Sequence, residues 1–181
     1  GSSSIDGTGC TISGTVTGTG NSIGGVVGHS YKTVTKWNIG SDVIIEASPT
    51  TENVGGVVGY VGTQNGTITY CNVSTDVAGY RNVGGILGYS SANNVDLIIN
   101  NCNYSGDISG ETAVGGIVGN NAHYGGSVID GSGCTIVGSI TATGFAIGGV
   151  AGHSYNTIQN WSLDNNLRIT VSSTSDSVGG I

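Results

Sequence analysis

The chain has 181 residues and a formal net charge of −7, and Gly, Ser, Thr and Asn together supply 94 of its positions. Charged residues make up 8%, against roughly 25% in ordinary domains, and the apolar fraction is mostly Val and Ile, which suit pleated sheets rather than helices. These figures exclude an all-α fold and argue against a doubly wound α/β fold; four cations (Lys32, Lys36, Arg81, Arg168) are too few to neutralise a nucleic-acid backbone, and no apolar run approaches the roughly 18 to 20 residues of a membrane helix.

The first element is a strand in which Cys10, Ile12, Gly14 and Val16 alternate with Thr11, Ser13, Thr15 and Thr17, the period-two pattern of a half-buried strand. A glycine block, Ile23-Gly24-Gly25-Val26-Val27-Gly28, follows it. The same pair of elements then recurs along the chain. Double glycines stand at Gly24-Gly25, Gly55-Gly56, Gly84-Gly85, Gly115-Gly116, Gly148-Gly149 and Gly179-Gly180, with spacings of 31, 29, 31, 33 and 31 residues. Before each stands a Cys or Trp, with apolar residues two and six positions further on. These landmarks are Cys10/Ile12/Val16, Trp37/Ile39/Val43, Cys71/Val73/Val77, Cys102/Tyr104/Ile108, Cys134/Ile136/Ile140 and Trp161/Leu163/Leu167. Both Trp units have the longest gap to their glycines, 18 residues against 13 or 14.

A longer period overlies the short one. Residues 134–181 repeat 10–57 at an offset of 124, with 23 identities in 48 ungapped positions, and Ile129-Asp130-Gly131 repeats Ile5-Asp6-Gly7. A duplicated block of four units accounts for this. The whole chain, 1–181, reads as one repeat domain, and its last residues, Val178-Gly179-Gly180-Ile181, begin a glycine block, so a fragment of a longer array is expected.

About 30 residues at roughly 3.3 Å each suit one lap of a solenoid. One lap cannot bury its own apolar face, whereas stacked laps share a continuous interior. The expectation is therefore an all-β, parallel β-solenoid of about six coils, three-sided and open at both ends. The double glycines are expected at corners or at close approaches of the backbone. Cys10, Trp37, Cys71, Cys102, Cys134 and Trp161 share one repeat phase and are expected to form a core ladder. Parallel stacking at about 4.8 Å favours free buried thiols over a disulfide, and a zinc site lacks its usual ligand spacing.

The glycine blocks, of which Gly84-Gly85-Ile86-Leu87-Gly88 is a representative core, resemble the GLUG-motif repeats. The resemblance covers the chain through the number and spacing of short motifs. It implies an extracellular, repetitive region of a microbial surface protein, such as an adhesin or a non-catalytic region of an IgA-specific metallopeptidase. It identifies no ligand.

No constellation in the sequence points to catalysis. His29 and His153 are duplicates of one position, His123 stands elsewhere, and no nucleophile elbow is present. The expected function is a non-catalytic structural or adhesive region, cell-surface or secreted, without a cofactor. Asp42, Asp76 and Asp107 each precede the third landmark position; a stacked acid row of this kind is a minor candidate for calcium. Tyr31, Tyr60, Tyr89 and Tyr155 follow glycine blocks and are candidate contacts for a glycan or protein on another cell. Further copies of the chain, in a filament or stalk, are the alternative partner, and an accessory region of a secreted protease is a third reading.

Overall fold

The computed structural model describes residues 4–62, 66–91, 97–122, 128–172 and 176–181. Every regular element among them is a β-strand, and every strand pairing is parallel. With no helix among the described residues, none is long and apolar enough to cross a membrane. The chain winds as a β-solenoid. Coil 1 spans residues 4–30, coil 2 33–61, coil 3 66–90, coil 4 97–121, coil 5 128–154 and coil 6 157–179.

Each lap passes through four sheets rather than three. The entry sheet stacks Ser4–Asp6, Thr33–Thr35, Gly66–Thr69, Leu97–Asn100, Val128–Asp130 and Thr157–Gln159. The landmark sheet holds Ile12–Gly18, Asn38–Ala47, the pair Asn72–Val73 and Val77–Ala78, Asn103–Gly110, Thr135–Ala142 and Arg168–Val171. The glycine sheet runs from Ser22–Gly24 through Asn53–Gly55, Arg81–Gly84, Thr112–Gly115 and Ile147–Gly148 to Val178–Gly179. The return sheet has five strands, Val27–Ser30, Val58–Val61, Leu87–Ser90, Val118–Asn121 and Ala151–Ser154. Five turns are thus complete and a sixth has three described strands, where about six coils are expected. The fourth side arises because the glycine block of each complete turn bends after its first glycine and becomes two strands.

The double glycines serve close approach and not positive φ, since none of the twelve has a left-handed backbone. A Cβ on Gly84 would fall on Leu87 O, and 2.6 Å from Gly119 N of the next coil. A Cβ on Gly85 would fall on Gly116 O and would lie 2.5 Å from the Tyr104 ring. The last glycine of the block is as tightly placed: a Cβ on Gly88 would sit 2.5 Å from Val54 N and 2.6 Å from Gly59 O. The glycine and return sheets therefore meet backbone to backbone, with no room for a side chain.

Left-handed corners fall to other residues. The residue before every landmark has positive φ, namely Gly9, Lys36, Tyr70, Asn101, Gly133 and Asn160. A second left-handed corner, at Asn82, Ala113, Ala146 and Ser177, lies two residues before the double glycine of coils 3 to 6.

The core is a set of apolar ladders along the stack. Val34, Ile68, Ile99 and Ile129 pair in register on the entry sheet, and Val54, Val83, Val114 and Ile147 on the glycine sheet. All are buried. On the landmark sheet Val16, Ile45, Val77, Ile108, Ile140 and Ile169 align. Ile45 and Ile169 stand there instead of Val43 and Leu167, the residues expected from spacing. In coil 2 two extra residues separate Ile39 from Ile45 relative to Val73 and Val77 in coil 3. Such a bulge shifts all later partners by its own length, and it accounts for part of the longer gap in Trp units.

Candidate functional site

The expected ladder of six landmark residues divides into three groups. Cys71 and Cys102 are buried, Cys134, Trp37 and Trp161 are half-buried against the core, and Cys10 is exposed. Cys134 follows the same kind of turn and yet packs against the core, so the exposure of Cys10 goes with coil 1 having no described neighbour on its outer side. All four cysteines are free. Contact with Cys71 together with burial pushes the Cys102 thiol up, and burial does the same to Cys134, so neither behaves as a reactive thiolate.

The Trp units have a local explanation. The indole of Trp37 donates to Ile5 O at 3.2 Å, and that of Trp161 to Ile129 O at 3.1 Å. A Cβ on Gly7 would lie 2.5 Å from the Trp37 ring, and one on Gly131 2.7 Å from the Trp161 ring. Each indole therefore covers the glycine corner of the preceding coil. The adjoining acid ties the corner. Asp6 accepts bonds from Thr8 N and Thr8 Oγ1 and pairs with Lys36 Nζ at 3.2 Å; Asp130 accepts from Ser132 N, Gln159 Nε2 and Asn160 Nδ2. The Thr8 bonds and then Lys36 hold Asp6 down to about 2, and Asp130 is lowered first by its bonds to Ser132. The motif Ile-Asp-Gly and the Trp that follows one coil later are thus one structural unit, repeated at 124 residues.

The acid row is shorter than expected. Asp76 and Asp107 share a phase, but the coil 2 bulge puts Ile44 at that phase and leaves Asp42 outside it. The two aligned acids bind the next coil: Asp76 Oδ1 accepts Asp107 N at 2.8 Å, and Asp107 Oδ1 accepts Ser139 N and Ser139 Oγ. Among the described residues no three His, Cys, Asp or Glu side chains form a group able to hold a metal ion.

The outer landmark face carries polar ladders. Asn72 Nδ2 donates to Asn38 Oδ1 at 2.8 Å, Asn103 Nδ2 to Asn72 Oδ1 at 2.7 Å, and Thr135 Oγ1 to Asn103 Oδ1 at 2.9 Å. Ser105 Oγ donates to Ser74 Oγ at 3.0 Å. These side chains bridge four coils.

The return sheet carries an aromatic row that runs His29, Tyr60, Tyr89, Asn120 and His153 in register. Tyr60 and Tyr89 stack with centroids 5.5 Å apart, and His29 meets Tyr60 edge-on at 4.3 Å. One face of each tyrosine is thus packed on the other, and both rings are partly exposed; Tyr60 also hydrogen-bonds Ser91. Tyr31 and Tyr155 lie beside His29 and His153 and are more exposed. His123 lies outside the described residues.

Two buried polar groups went unforeseen. Among the described residues, Ser90 Oγ and both amide atoms of Asn121 have no hydrogen-bond partner although buried. They share a phase with Ser30 and Ser154, which instead close small turns with Lys32 and Asn156.

Where coils 4 and 5 join, the surface departs from its repeat. A groove of about 660 Å³ opens there, between the glycine and return sheets, with Arg81, Asn120, Phe145 and His153 among its walls. No protein-family model matches this chain, and no curated protein or solved structure does either.

Proposed function

We propose that the chain is a non-catalytic, extracellular structural and adhesive segment of a microbial surface protein. The outer hydroxyl and amide ladders carry the reading. Asn38, Asn72, Asn103 and Thr135 form a regular, largely exposed polar row, held in register by bonds between coils. A row fixed in this way presents its groups without the ordering cost that a flexible surface meets on binding. The GLUG-like glycine blocks support the surface setting. The segment's role is mechanical and presentational: stacked coils give stiffness, and their polar faces meet glycans or proteins.

The test is binding of labelled segment to arrayed host and microbial glycans and to intact cells. Saturable binding at micromolar concentration is expected; no binding to any glycan or cell rejects adhesion and leaves a spacer.

A second reading is a self-assembling stalk: every sheet stacks its strands in parallel along one axis, an arrangement that a further copy of the chain can extend. Light scattering and microscopy of the isolated segment decide it: concentration-dependent rods are expected, and a monodisperse monomer at all concentrations rejects assembly.

A further inference from the structure

The groove between coils 4 and 5 is carved by two departures from the repeat. At the left-handed corner of the glycine sheet, coil 3 carries Asn82, whereas coils 4 and 5 carry Ala113 and Ala146. Asn82 fills its site: its Nδ2 donates to Asn53 Oδ1 at 2.8 Å, and its Oδ1 accepts Asn120 Nδ2 at 3.0 Å. The alanines leave that volume empty and form the floor, at 3% and 7% exposure. On the return sheet, Tyr60 and Tyr89 give way to Asn120 and His153. Both walls shrink at the same coils.

The backbone makes these alanines an unfavourable choice. Their φ values are 54° and 59°, a region that L residues other than Gly, Asn and Asp rarely adopt. Asn suits the corner better and occupies it one coil earlier.

The walls then offer a defined chemistry. Because Asn120 Nδ2 donates to Asn82, its Oδ1 is the atom facing His153 Nδ1 at 3.1 Å. His153 must donate from Nδ1, which leaves Nε2 as an acceptor in the neutral ring. Arg81 contributes exposed N–H donors from one side, and Phe145, 56% exposed, contributes an apolar ring from the other. The Arg81 donors and the His153 Nε2 acceptor beside one exposed aromatic face suit a pyranose, which has hydroxyls around its edge and C–H groups on its face. The volume admits one or two rings.

We propose that this groove is a saccharide-binding subsite, with Phe145 against the sugar face and Asn120, His153 and Arg81 on its hydroxyls. The assignment rests on the adhesive reading and gives it a place and a ligand class.

The test uses the segment against a panel of neutral and uronic-acid-containing oligosaccharides, followed by titration of the strongest binder. Ala113→Asn refills the groove, since the register that sets Asn82 against Asn120 sets position 113 against His153. It should keep the thermal midpoint and the circular dichroism of the parent, and weaken binding at least about tenfold. Phe145→Ala, on an exposed ring, should do the same. Full affinity in both variants, with loss instead in Tyr31→Ala or Tyr155→Ala, overturns the groove while adhesion stands. Silence of the parent across every sugar overturns the groove, and adhesion falls with it only if the segment also fails to bind intact cells.

Discussion

Coils 2 to 5 and the two terminal coils are built from the same repeat, yet they bury it differently. On the entry sheet Val34, Ile68, Ile99 and Ile129 are at most 1% exposed, while Ile5 and Ile158, in the same ladder, are only partly buried. The glycine-sheet ladder shows the same contrast between Val83 and the exposed Val178. The side chains do not differ in kind; the number of neighbouring coils does. In a stacked array, stability is a sum of units and of interfaces between neighbours, and among the described residues coils 1 and 6 have one such interface where a central coil has two.

Substitutions that act on the interface should therefore hurt most in the centre. Gly85→Val inserts atoms against Gly116 O and the Tyr104 ring; a loss of about 3 kcal/mol or more is expected, measured by chemical denaturation, while Gly180→Val, whose Cβ has 3.8 Å to its nearest neighbour, should cost under about 1 kcal/mol. Equal losses would remove the distinction. Ile99→Ala should destabilise by about 3 kcal/mol through transfer and cavity terms, and Ile158→Ala by about 1 kcal/mol, since partly exposed side chains lose less.

Sharper readings come from single groups. Asn121→Val copies Val61, its counterpart in coil 2, and removes a buried amide without a partner among the described residues; a gain of about 1 kcal/mol is expected, seen as a higher melting temperature. A thiol reagent should modify Cys10 at once in the native protein and reach Cys71 and Cys102 only on unfolding, because burial shields them.

The smallest effect concerns acid. Asp6 titrates near 2 in the folded protein and near 4 when unfolded, so its contribution to folding is present above about pH 4 and is lost as pH falls through about 2. A carboxyl NMR titration of Asp6 with a midpoint near 4 would show that the coil 1 corner does not hold.

Much of this fold is legible in particular residues. The alternation around Val73 and Val77 and the constant interval between Gly55, Gly84 and Gly115 announce parallel stacked strands, because period two and period thirty are both visible without coordinates. The bulge that replaces Val43 by Ile45 is not, since both are apolar and only pairing with coil 3 chooses between them. Nor is the exposure of Cys10, which shares its motif with Cys134. Of the groove, Ala113, Ala146 and Phe145 carry no signal along the chain: small residues at one phase become a cavity only when three coils are superposed.

Composition and periodicity, then, were enough to establish parallel β-coils of about thirty residues with Val and Ile inside, because burial and strand propensity act locally and repeat. Tertiary structure alone decided that each complete coil has four sides, that Trp37 and Trp161 cover the glycine corners before them, and where the outer surface opens. Those outcomes depend on contacts between residues about thirty apart, which form only when one coil lies upon another.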